Sequence, residues 1–104
     1  MKYHQQGDVL LFREQIPETA KQATKDPVLQ HGESTGHAHR LTDEDFELFE
    51  QPETKTRYLR LLKPSGLRHE EHKEIILPPG DYRIDIVREV GGEEDEEYIR
   101  TVTD

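Results

Sequence analysis

EIILPPGDYRIDIV, residues 74–87, decides the fold class. A short apolar run, Ile75 to Leu77, stops at Pro78-Pro79-Gly80. The chain then alternates, with Tyr82, Ile84 and Ile86 on one parity and Arg83 and Asp85 on the other. Period two belongs to strands, whose successive side chains point to opposite faces, whereas an amphipathic helix needs apolar residues three and four apart. Proline and glycine interrupt both patterns, so PPG predicts a turn that sets a final hairpin.

The same pattern extends outward from this stretch. VLLF at 9–12 follows Gly7-Asp8, alternates into Phe12 and Arg13, and ends at Ile16-Pro17. PETAKQATKDP, 17–27, holds few apolar anchors and predicts a loop or one short helical turn. From Pro27 onward VLQH, GHAHRL, FELFE, TRYLRLL, LRHEEHKEIIL, DYRIDIVREV and EYIRTV read as strands, separated by GEST, TDED, QPETK, KPSG, PPG and GGEED. Short strands at regular spacing predict an all-β fold, a small antiparallel barrel or sandwich, with the barrel-like form expected. Residues 1–104 show no repeat or linker and read as one domain.

Composition narrows the function. The formal charge is −9, from 14 Lys and Arg against 23 Asp and Glu. Coating of DNA by phosphate neutralisation calls for the opposite balance. The acidic run GGEEDEEY, 91–98, reads as a solvated loop because like charges repel. With no cysteine in the chain, a metal would have to be held by imidazole and carboxylate. No apolar run approaches a membrane span, and MKYHQQGD is too polar for a signal peptide, so a soluble cytoplasmic protein is expected. Sheet edges left open would allow pairing with a second copy.

Histidine placement is the strongest functional signal. Five of the 6 histidines lie in HGESTGHAHRL, 31–41, and HEEH, 69–72. Strand parity puts His37, His39 and Leu41 on one face and Ala38 and Arg40 on the other. Read as a regular strand, HEEH pairs His69 with Glu71, on the parity of Leu67, Ile75 and Leu77, and Glu70 with His72, on that of Arg68 and Ile76. The first pair is favoured as the inward one, and a helical turn or bulge would instead bring His69 and His72 to one face. A first reading makes His37, His39, His69 and His72 ligands of a divalent transition metal (Zn, Mn, Fe or Ni), with Glu70 or Glu71 as ligand or general base. Such a site activates water, and a phosphodiester in RNA or a small molecule is the leading substrate. A second reading is a metal-free ribonuclease in which histidines supply base and acid while Arg40 or Arg88, with Arg68 and Lys73 as further candidates, holds the phosphate. A third is a binding module with structural histidines.

The remaining aromatic and histidine positions are less telling. His4 is expected at the surface. His31 either lines the same pocket or ends a strand. Tyr58 and Tyr82 read as core or rim aromatics, and Glu33, Ser34 and Thr35 as ordinary turn residues.

Two resemblances accompany these motifs. HxH after a glycine-rich turn, with a later PPG, is similar to the cupin pattern, in which two histidines and an acid on one strand and a later histidine bind a metal in a small β-barrel. Gly32, His37 and His39 fit its start, and Asp43 or Glu44 could take the acid's place, while Pro79-Gly80 is followed by Tyr82 and Arg83 and no histidine. More of the chain resembles a group of small bacterial and phage-borne proteins that run GDVL, GExTGHxH, HEEH, LPPGxY and RE. The matching residues are Gly7 to Leu10, Gly32-Glu33, Thr35 to His37, His39, His69 to His72, Leu77 to Gly80, Tyr82 and Arg88-Glu89. The cupin likeness implies architecture, and the second supports a site built from these histidines.

Overall fold

A computed structural model describes residues 3–31 and 36–87. Among them the strands are β1 (Tyr3–Gln6), β2 (Val9–Arg13), β3 (Lys21–Gln22), β4 (Val28–His31), β5 (Ala38–Leu41), β6 (Phe46–Glu50), β7 (Arg57–Leu61), β8 (Ser65–Arg68), β9 (Ile75–Leu77) and β10 (Gly80–Ile86). They form two antiparallel sheets, one ordered β1-β2-β10-β7-β6-β3 and the other β4-β5-β8-β9. Val9, Leu11, Leu48, Leu59, Tyr82 and Ile84 of the larger sheet meet Leu29, Leu41, Leu67 and Leu77 of the smaller one in a shared core. No helix among the described residues is long and apolar enough to cross a membrane.

The all-β, antiparallel fold is as the alternation predicts, in its sandwich form. Among the described residues the sheets do not curl into the barrel-like form. β1 and β3 end the larger sheet and β4 and β9 the smaller, and among the described residues no ladder joins one sheet's edge to the other's. Burying one face of each sheet against the other satisfies most of the apolar parity without closure, and Leu10, Phe12 and Val87, of the opposite parity, form a second buried cluster.

PPG does not close a hairpin. β9 pairs with β8, whereas β10 pairs with β2 and β7, so Pro78-Pro79 carries the chain from one sheet to the other. Tight two-residue hairpin turns need positive φ, which proline's ring forbids. The crossover is held by the buried Tyr82, whose hydroxyl donates to the Pro78 carbonyl. LRHEEHKEIIL is likewise not one strand. β8 ends at Arg68 and β9 starts at Ile75, with Ser65 opposite Leu77 and Leu67 opposite Ile75, so residues 69–74 form the loop of a hairpin. Six consecutive polar residues there offer no apolar parity to bury. In 17–27 the expected loop or helical turn contains β3, which pairs with Phe49 and Glu50. The GEST turn, Arg88 and Glu89, the acidic run and the EYIRTV strand lie outside the described residues.

Candidate metal centre

One end of the sandwich gathers the histidines. β5 turns His39 and Leu41 toward the core, leaving His39 only 3% exposed. His37 precedes β5 and is partly exposed. From the neighbouring hairpin of the same sheet, the loop after the buried Leu67 brings in His69 and His72. Ring centroids lie 4.3 Å apart for His39 and His69, 4.6 Å for His69 and His72, 5.7 Å for His39 and His72, and 5.6 Å for His37 and His69. Parity within HEEH therefore does not separate its histidines, because a loop is not bound by strand alternation. His72 is exposed, so the cluster has a buried floor and an open rim.

Gln6, at the end of β1, orients that floor. Its amide nitrogen lies 2.6 Å from the Leu67 carbonyl and 3.0 Å from the Lys73 carbonyl, and donates to both. Its oxygen therefore faces His39 Nδ1, 2.9 Å away, and accepts a hydrogen bond from Nδ1–H. His39 is held in the Nδ1–H tautomer with the Nε2 lone pair directed outward. Asp8 Oδ1 stands 3.2 Å from that Nε2. Two acceptors at this distance call for a cation between them, either a proton or a metal ion. The tautomer gives a direct test: in Gln6→Leu, the two-bond ¹H–¹⁵N shifts of His39 should show mixed tautomers, and an unchanged pure Nδ1–H pattern would refute the role of Gln6.

Burial, followed by the charge of His69, holds the His39 pKa below its ordinary value of 6.5, against a smaller upward pull from Asp8. A depressed imidazole pKa means that the unfolded chain binds the proton more readily than the folded one. The His39 contribution to stability is therefore complete above pH 6.5 and is lost as pH falls through the folded-state pKa. Urea unfolding in the presence of chelator should show stability declining from pH 7.5 to 5, with a shallower decline in His39→Gln. Equal slopes would contradict the assignment.

Carboxylates complete the surroundings. Glu70 Oε1 accepts a 2.9 Å bond from the Ala38 amide, which is the main reason its pKa is lowered, ahead of its own amide and of His37 and His69. Glu71 Oε2 lies 3.7 Å from His37 Nδ1, and the Glu71 amide donates to His69 Nδ1 at 3.0 Å. Gly7 opens the β1–β2 turn with φ +58. A Cβ placed there would stand 2.7 Å from His72 Nε2 and 3.1 Å from His39 Cε1, so only glycine lets both rings approach the turn. Gly7→Ala should cost about 1–2 kcal/mol for the left-handed backbone. Adding His72→Ala should relieve the steric share alone, as a thermodynamic cycle by urea unfolding would read; full recovery would show that φ carries no cost.

The structure thus brings together His37, His39, His69, His72, Glu70 and Glu71. It does not bring Arg40 to them: Arg40 takes the parity opposite His39, is exposed, and lies across from Arg68 on β8. Arg88 lies outside the described residues. His31 ends β4 and is exposed. His4 is half-buried rather than at the surface, edge-on to Tyr82 at 6.0 Å, because it shares the inward parity of Gln6 on β1. Asp43, whose carboxylate accepts from the Asp45 amide, serves a turn. Tyr58 and Tyr82 are both buried. Nothing in the sequence pattern marks Gln6 as a site residue, and Gly7 and Asp8 stand out only as the start of the motif GDVL.

Fold and site together define a two-sheet β-sandwich protein with a cluster of histidines and carboxylates at one end. The chain belongs to a family described as a domain of unknown function (DUF8820), whose model matches residues 5–87. No curated protein and no solved structure matches it.

Proposed function

We propose that the protein binds a divalent transition-metal ion through His39, His69 and His72, and that the centre hydrolyses a phosphodiester in RNA or a small molecule. These three residues each bring one ligand atom within 4.8 Å of the others. The observation that carries the reading is the Nδ1–H bond of His39 to Gln6, which turns Nε2 toward Asp8 Oδ1 3.2 Å away. An outer hydrogen bond that fixes the ring of a liganding histidine is the usual companion of a metal site. Three protein ligands leave a position for water, and a bound ion of this type supplies Lewis acidity and a water activated near neutral pH. Asp8, 3.2 Å from His39 Nε2, and Glu71, 3.7 Å from His37 Nδ1, are the carboxylates that would take up the proton, and Gln6 keeps His39 from rotating. A metal-free phosphate site would need a cation beside the imidazoles. Arg40 stands on the other face, Arg68 pairs with Glu74 at 3.4 Å, and Asp8, Glu70 and Glu71 lie beside the rings, which favours a cation as occupant.

The test is elemental analysis of protein purified without a His-tag, followed by calorimetric titration of chelator-treated protein with Zn²⁺, Mn²⁺ and Ni²⁺. At least one stoichiometric ion is expected, and no binding of any of the three would end the reading. Cleavage of bis(p-nitrophenyl) phosphate or a short RNA should then require the ion. RNA cleavage that survives chelator and leaves a cyclic phosphate would replace the metal reading with the metal-free one.

A further inference from the structure

We infer that the cluster holds two divalent ions, the second at His37, His69 and Glu70. The inference rests on the reading of the cluster as a metal centre and asks how many ions it takes. Two sets of side chains meet the same geometric condition: His39, His69 and His72 form one, and His37, His69 and Glu70 the other, each with its ligand atoms within 4.8 Å of one another. A zinc-type ion takes about four ligands. One ion on the first set leaves His37 and Glu70 unused as ligands, although Glu70 is tethered to the Ala38 amide beside His37 and Glu71 Oε2 lies 3.7 Å from His37 Nδ1. Charge points the same way. Asp8, Glu70 and Glu71 leave an excess of negative charge around one divalent ion and offset most of the charge of two.

His69 belongs to both sets, and this predicts how the sites interact. With one ion, His69 completes a three-histidine set. With two, it turns to His37 and Glu70, and Asp8, already 3.2 Å from His39 Nε2, takes its place beside His39 and His72. The second ion therefore draws on a ligand of the first and binds more weakly. Binding at His69 also disturbs the bond from the Glu71 amide to Nδ1. An ion on Nδ1 displaces that bond, and an ion on Nε2 forces the ring proton onto Nδ1, which can then no longer accept.

The experiment is titration of the full, tag-free, chelator-treated chain with Zn²⁺ by calorimetry and equilibrium dialysis, with the Glu71 amide followed by NMR. Two ions per chain are expected, the second at least about tenfold weaker than the first, with the Glu71 amide shifting during the titration. His37→Ala should remove the weaker step and leave the tighter one, whereas His72→Ala should weaken the tighter one by at least about tenfold, comparable to losses seen around metal sites. Pairs of Mn²⁺ ions at saturation should show spin coupling by EPR. Saturation at one ion, unaffected by His37→Ala, would overturn the second site and leave the proposed function standing. Absence of any bound ion would overturn both.

Discussion

His39→Ala, titrated with Zn²⁺ at pH 7.5, should bind the ion at least about 100-fold more weakly than the native chain. Removal of an outer-sphere partner typically costs about 10–100-fold, and His39 is a ligand rather than a partner. Its environment makes it the least replaceable of the four imidazoles. It is the buried one, its tautomer is fixed by Gln6, and its free nitrogen meets Asp8. The same substitution strips Gln6 Oε1 of its donor inside the sandwich. A buried acceptor left unpaired costs about 1–3 kcal/mol, so the metal-free variant should also be less stable. His31→Ala is the control, since His31 is exposed at the end of β4 and should change neither property. Native affinity in His39→Ala would remove the ring from the ion's coordination.

Leu59→Ala should destabilise the chain by about 3 kcal/mol without altering ion stoichiometry. Leu59 is 0% exposed and sits on β7 between Tyr82 of β10 and Leu48 of β6. Flanked by strands on both sides and covered by the opposing sheet, it has little room to let neighbours collapse into the gap. A loss of that size should lower the melting temperature by about 12–24 °C in a domain of this length. Leu62, 58% exposed, provides the contrast, and Leu62→Ala should stay within about 0.5 kcal/mol of native. Urea unfolding gives both values, and a Leu59→Ala midpoint equal to the Leu62→Ala midpoint would mean that the core is not organised around β7. Retained ion binding by folded Leu59→Ala would separate the site from global stability.

Alternation was enough to read most strands, because a half-buried sheet forces period two on the chain that builds it. Tyr82, Ile84, Leu59 and Leu61 all face the core as their parity requires. The same rule misleads where no face is buried. HEEHKE carries no apolar parity, so a regular strand there would send His69 and His72 to opposite faces, whereas in the loop their rings lie 4.6 Å apart. PPG likewise marks a break in the chain without saying which sheet receives the next strand, and the crossover at Pro78-Pro79 depends on pairings with β2 and β7 that are remote in sequence.

From residue order alone came the all-β class, the inward parity of His39 and the confinement of any metal ligand to imidazole and carboxylate, since each follows from local periodicity or from which side chains the chain contains. Only the folded arrangement decided that the sheets stack without closing, that Arg40 faces away, and that Gln6, Gly7 and Asp8 belong to the site. The reason is separation along the chain. Gln6 reaches Leu67 and Lys73 across more than sixty residues, and no local pattern encodes a contact that exists only after two sheets have packed.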